Sequence, residues 1–203
     1  SEQVTLNVGV NARVLTLNNS WTLEPRAGIK WQFSPKSSFA LAYGLHSRME
    51  KMDVYFVKTQ GTGDRSVNKD LGFTRAHHVM LSYGFKISDN MNMKIEPYFQ
   101  QLYDVPVIAD SSYSVLNRRD FYVENVLVNR GKGRNIGVDI TLERYLNKGL
   151  YYMVTASIFD SKYYGGDRKW RNTLYNRNFI INVLGGKEWM VGRDKQNMFS
   201  AVS

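Results

Sequence analysis

From Asn135 to Ser161 the chain alternates strictly in polarity, and this limits the fold more than any other feature. Ile136, Val138, Ile140 and Leu142 share one side of an extended chain, and Gly137, Asp139, Thr141 and Glu143 share the other, because successive strand side chains point to opposite faces. After Tyr145, Asn147-Lys148-Gly149 has turn composition, and Tyr152, Val154, Ala156 and Ile158 then resume a single parity. The segment reads as a hairpin with one apolar and one polar face. Each strand runs about ten residues, the length a tilted strand needs to cross a bilayer's hydrocarbon. Strands of a sandwich alternate in the same way, so the pattern alone does not name the solvent.

The rest of the chain repeats the device. Val4, Leu6, Val8 and Val10 oppose Thr5, Asn7, Gly9 and Asn11, and Leu23, Ala27, Ile29, Trp31 and Phe33 oppose Glu24, Arg26, Gly28, Lys30 and Gln32. After Ser34-Pro35-Lys36-Ser37, Phe39 to His46 alternates again. Further runs follow from Thr74 to Ile87, from Met93 to Gln100 and from Phe179 to Val191, with a last one beginning at Asn197. Pro97 lacks a ladder donor and predicts an edge strand or a bulge. After a brief first bend the connections run short and long in turn, and the residues between Ser47 and Phe73 form the first long one. In an antiparallel meander this gathers the long connections on one rim and the tight turns on the other, as in outer-membrane barrels. Trp31, Phe33, Phe85, Tyr145, Tyr151 and Trp189 fall beside the tight turns, where an interfacial girdle of rings belongs. No stretch carries a 3.6-residue period of useful length. The fold expected is all-β, an antiparallel up-and-down meander of about nine strands, part of a transmembrane β-barrel, over residues 1–203 as one domain.

Composition excludes other classes. With 43% hydrophobic residues, 13% of all residues being aromatic, the chain is not disordered. Its mean hydropathy of -0.40 goes with the lack of any apolar run long enough for a transmembrane helix, and neither bears on a barrel. There is no cysteine, hence no disulfide or thiolate metal site. The opening SEQVTLNVGV lacks the features of a signal peptide. A net charge of +9 suits an anionic partner, with basic residues concentrated at Arg118, Arg119, Arg130, Lys132 and Arg134 and at Arg168, Lys169, Arg171 and Arg177.

Catalytic patterns fail on spacing. Asp139 and Glu143 are roughly 13 Å apart along a strand, too far for a glycosidase pair. His77 and His78 point to opposite faces and with His46 do not make a zinc motif. Gly131-Lys132-Gly133 lacks the rest of a phosphate loop, and no GxSxG occurs. Neither enzyme activity, metal nor cofactor is expected. Basic loops interleaved with Tyr113, Phe121, Tyr122, Tyr163, Tyr164, Trp170 and Tyr175 suit stacking on bases or sugars, but the chain is too long for one OB fold and nucleic acid is not the expected partner.

The runs LEPRAGIKWQFSPKSSFALAYGLHSRM (Leu23 to Met49), VLVNRGKGRNIGVDITLER (Val126 to Arg144) and SIFDSKYYGGDRKWRNTLYNRNFIINVLGGKEW (Ser157 to Trp189) resemble the C-terminal barrel part of TonB-dependent outer-membrane receptors of Bacteroidetes, of the type with a carboxypeptidase-regulatory-like domain. The resemblance implies a barrel of about 22 strands around a plug, located in the cell outer membrane and importing a nutrient. The partners it implies are outer-membrane lipid, the receptor's own plug domain and TonB, a small nutrient ligand and a surface lipoprotein. Plug, TonB box and terminal strands are absent from this chain, so it is expected to be a fragment, its sheet open or its edges paired with neighbouring chains. Arg26, Lys30, Lys94, Glu96, Asp139 and Glu143 are expected to face the lumen. Tyr113, Asn117, Arg119, Arg134, Asp160, Tyr163, Asp167 and Arg171 are expected to contact ligand from the loop crown. The alternative is a soluble all-β binding module whose basic aromatic loops hold a polyanion or glycan.

Overall fold

The computed structural model describes residues 3–58, 66–118, 124–191 and 197–202. They form one antiparallel sheet in chain order: β1 (Gln3–Leu15), β2 (Ser20–Ser34), β3 (Ser37–Arg48), β4 (Thr74–Ser88), β5 (Met91–Val107), β6 (Val128–Asn147), β7 (Leu150–Tyr164), β8 (Trp170–Asn172), β9 (Phe179–Val191) and β10 (Asn197–Val202). Every neighbour pair is antiparallel, and one side of β7 pairs with β9 from Leu150 to Ile158 and with β8 from Lys162 to Tyr164. The turn expected at Asn147-Lys148-Gly149 is present, with Lys148 and Gly149 both at positive φ (52° and 75°), the backbone that a two-residue hairpin needs to match strand twist. Pro97 lies in neither an edge strand nor a bulge. It sits in the central strand β5, and the β4–β5 register holds from Met80↔Tyr98 to Tyr83↔Ile95 while the pairs between them are missing. A residue without an N–H interrupts the ladder there without shifting it.

The barrel expectation is corrected. The sheet does not close: β1 pairs with β2 alone and β10 with β9 alone, which leaves two free edges among the described residues. Among the described residues no helix is long and apolar enough to cross a membrane.

The core lies at one rim. The long connections after β3, β5 and β7 gather there beside the first bend. Leu15, Val54, Tyr55, Val57, Leu71, Phe73, Val105, Val115 and Leu127 pack into a single buried cluster, with one-turn helix α1 (Met52–Tyr55) supplying Val54 and Tyr55. Asn68 ties the loops together. Its Nδ2 donates to the carbonyls of Val54 (3.1 Å) and Asn125 (2.9 Å), and its Oδ1 accepts from the Leu127 N–H (2.9 Å). Backbone groups that regular structure would satisfy are thereby paired by a side chain. The apolar parities of the strands, by contrast, stay in the open: Val8 is 76% and Ile158 63% exposed.

Candidate functional site

The strand register assigns each polar side chain to a face. Arg26, Lys30, Lys94, Glu96, Asp139 and Glu143 fall together on the polar face, opposite the Val/Ile/Leu parity. Lys94 pairs with Glu96 at 2.9 Å, and Glu143 lines a recess of about 410 Å³ with Lys36, Lys86 and Lys94. With no closed wall, this face bounds no lumen.

The polar face also carries a network that the sequence did not announce. Glu24, fully buried, accepts from Asn11 Nδ2 (3.0 Å), Arg26 Nη2 (3.0 Å), the Ser47 N–H (3.1 Å) and Ser47 Oγ (2.5 Å), and pairs with Arg13 Nε at 3.3 Å. Burial alone would raise its pKa. The Ser47 and Asn11 hydrogen bonds and the Arg13 and Arg26 charges outweigh that and hold it at about 2. Beside it, His46 and His78 meet edge-on at 6.1 Å, and burial together with the Arg26 charge lowers the His46 pKa.

The residues expected in the loop crown divide into two groups. Tyr113 packs against the buried cluster, the Asn117 side chain accepts the Leu174 N–H, and Tyr163 is buried. Asp167 receives Arg171 through two bonds of 2.9 and 2.5 Å; that hydrogen bond lowers the Asp167 pKa and raises that of Arg171. These five residues hold the crown together, and the sixth expected there, Arg119, lies outside the described residues.

Arg134 and Asp160 belong elsewhere, on the apolar-parity face at its looped end. Arg130, Lys132 and Arg134 occupy alternate positions of β6, all exposed, and alternate positions of a strand are about 6.7 Å apart. The Arg134 guanidinium lies over the Trp170 ring at 5.6 Å, and Lys132 lies over Tyr164 at 5.9 Å. Trp170 and Tyr164 are themselves in tilted contact at 5.4 Å. The pairings Lys132↔Tyr164, Arg134↔Lys162 and Tyr164↔Trp170 place these residues side by side. Asp160 accepts from Asn176 (2.9 Å) and pairs with Lys162 (3.1 Å), and these hydrogen bonds lower its pKa. Arg134, Lys162, Trp170, Arg171 and Asn172 line a recess of about 480 Å³. Among the described residues no carboxylate lies within ion-pair distance of Arg130, Lys132 or Arg134, although the Arg134 charge also helps to lower the Asp160 pKa. The signal for this group was present in the sequence as three cations at one parity, just upstream of the apolar run that shares that parity.

No protein-family model matches the chain, and no curated protein matches it. The open sheet removes what the resemblance implied. The chain is not supported as part of a TonB-dependent outer-membrane receptor, since import through such a receptor needs a closed wall around a plug and this sheet encloses nothing. Nutrient import, the small nutrient ligand, the plug and TonB partners, a surface lipoprotein, contact with outer-membrane lipid and placement in the cell outer membrane all rested on that wall and are withdrawn with it.

Proposed function

We propose that the chain is an all-β binding module that takes an acidic glycan along the looped end of β6, β7 and β8. The observation that carries the reading is the row Arg130, Lys132 and Arg134, exposed and without carboxylate partners among the described residues, next to Trp170. Regularly spaced cations neutralise a polymer's repeating sulfates or carboxylates, Arg in bidentate fashion. Trp170 offers a ring to a sugar face, Asn172 in the same recess adds an amide, and the Asp160 carboxylate, held by Asn176 and Lys162, keeps lone pairs that a hydroxyl can use. The mixture of acceptors with cations favours a hydroxyl-rich anion over a bare polyphosphate.

The test is binding to immobilised sulfated and uronate polysaccharides at graded salt, with single-stranded DNA as a competitor of similar charge. Replacing Arg130, Lys132 and Arg134 together by Ala is expected to weaken binding about 100-fold and to flatten its salt dependence by about three cations. Trp170→Ala is expected to weaken it about tenfold with the salt slope unchanged. An absence of binding at low salt, or DNA competing as well as the glycans, overturns the reading.

A further inference from the structure

At right angles to the strands, the face that carries Arg134 continues into residues of a different kind. Arg134 is paired with Gln101 of β5, Gln101 with His77 of β4 and His77 with Leu45 of β3, so the four side chains stand in one row. His77 is two strand spacings from Arg134, about 10 Å. Its ring is held between Tyr103 (5.2 Å, 18° between planes) and Tyr43 (6.1 Å, 21°), and the Tyr43 hydroxyl meets His77 Nδ1 at 2.9 Å. Gln101 Nε2 donates to the carbonyls of Gly133 (3.0 Å) and Leu102 (3.2 Å), which fixes the amide and leaves Oε1 as an acceptor. Beside Tyr103 and Leu45 opens a recess of about 400 Å³ whose other apolar walls are Trp21 and Leu23. Arg75 is the only Lys or Arg on this face of β4 and β5, and it is taken up by Asp104 (3.3 Å) and the Trp21 carbonyl (3.3 Å). Where β6 offers spare charge, β4 and β5 offer hydrogen-bonding groups and an apolar recess.

We infer that this patch is a second subsite, which takes an uncharged N-acylated sugar next to the acidic unit held by the cation row. It rests on the acidic-glycan reading and narrows the ligand to one that carries both kinds of unit. The sugar hydroxyls bond Gln101 Oε1 and His77 Nε2, the acyl carbonyl accepts from the Tyr103 hydroxyl, and the acyl methyl enters the recess against Leu23, Leu45 and Trp21. Burial pushes the pKa of the Tyr103 hydroxyl up, so it stays a donor. Rings that are already stacked on one another lose little freedom when the ligand arrives.

Hyaluronan, in which each uronate alternates with an N-acetylhexosamine, and polygalacturonate, which is uronate throughout, separate the two subsites in titrations at low salt, with circular dichroism as a check on folding. Tyr103→Phe, which keeps the stacked ring and removes the hydroxyl, and His77→Ala are each expected to weaken hyaluronan binding about fivefold with its salt slope unchanged, and to leave polygalacturonate binding as it is. Variants that weaken both polymers alike, or neither, or a wild type that binds polygalacturonate alone, overturn the second subsite and leave the acidic-glycan reading standing. A wild type that binds neither polymer overturns both.

Discussion

The looped rim and the strand body hold their residues by different means. At the rim, Tyr55, Val54 and Val105 are fully buried, with α1, Asn68 and the connections after β3 and β5 closing around them. In the strand body the same residue types stay open on one face and are held mainly by the ladder to their neighbours. Order in this molecule therefore does not follow regular secondary structure. The irregular connections contain the dry core, and the regular strands mainly position it and display side chains. The candidate glycan face lies at the border between the two, where strand spacing sets the cations and the crown holds Trp170 beside them.

The sharpest way to break this contrast is to truncate one aromatic on each side of it. Tyr55 is fully buried and its hydroxyl accepts the Glu50 N–H (3.2 Å), so Tyr55→Ala is expected to cost about 3–5 kcal/mol in urea denaturation. Tyr83, 39% exposed on β4, is expected to cost about 1 kcal/mol or less on the same change. Equal losses would mean that the sheet and the crown do not differ in what they bury.

The strands were legible in the sequence because alternation is a local property of the chain. The runs around Leu6, Ile29, Leu81 and Ile140 each declare their strand without reference to a partner, and the order of short and long connections then gives the meander. Which surface covers the apolar parity is not local, and the same Val and Ile pattern serves a sandwich, a barrel wall or an open sheet. The barrel expectation failed at that step, since closure depends on whether β1 and β10 meet. The crown was illegible for a related reason. Val54, Leu71, Val105 and Leu127 are far apart in sequence and follow no period, so neither their cluster nor its Asn68 clamp leaves a pattern to read. Arg134 and Asp160 were named, but Lys162 joins them only through the β6–β7 register.

A smaller effect is expected where the rim meets the polar face. Glu24 has a folded-state pKa of about 2 against an ordinary value of 4.5. Its charge therefore adds stability that is complete above pH 4.5 and lost as the pH falls through about 2. Glu24→Gln removes the Arg13 and Arg26 pairings while keeping the shape, at an expected cost of about 1–3 kcal/mol at neutral pH. Stability measured between pH 6 and pH 2 should then fall less steeply in the variant than in the wild type. An unchanged slope would assign the acid sensitivity to other carboxylates and remove Glu24 from the junction.

The smallest effect separates the two regions by the space around a glycine. At Gly131, beside the crown, a Cβ would come within 2.4 Å of Val107 Cγ1 and 2.9 Å of the Val105 carbonyl, leaving no room for a methyl group. At Gly28, mid-strand on the polar face, the nearest atoms to a Cβ are the Leu41 carbonyl at 3.7 Å and Ala42 Cβ at 3.9 Å, ordinary contacts that need no adjustment. Gly28→Ala therefore keeps the native backbone and reduces the freedom of the unfolded chain, and is expected to stabilise by about 0.5 kcal/mol. A measured loss there would show that the polar face is covered in solution, since only an unseen neighbour would turn a methyl group at Gly28 into a clash.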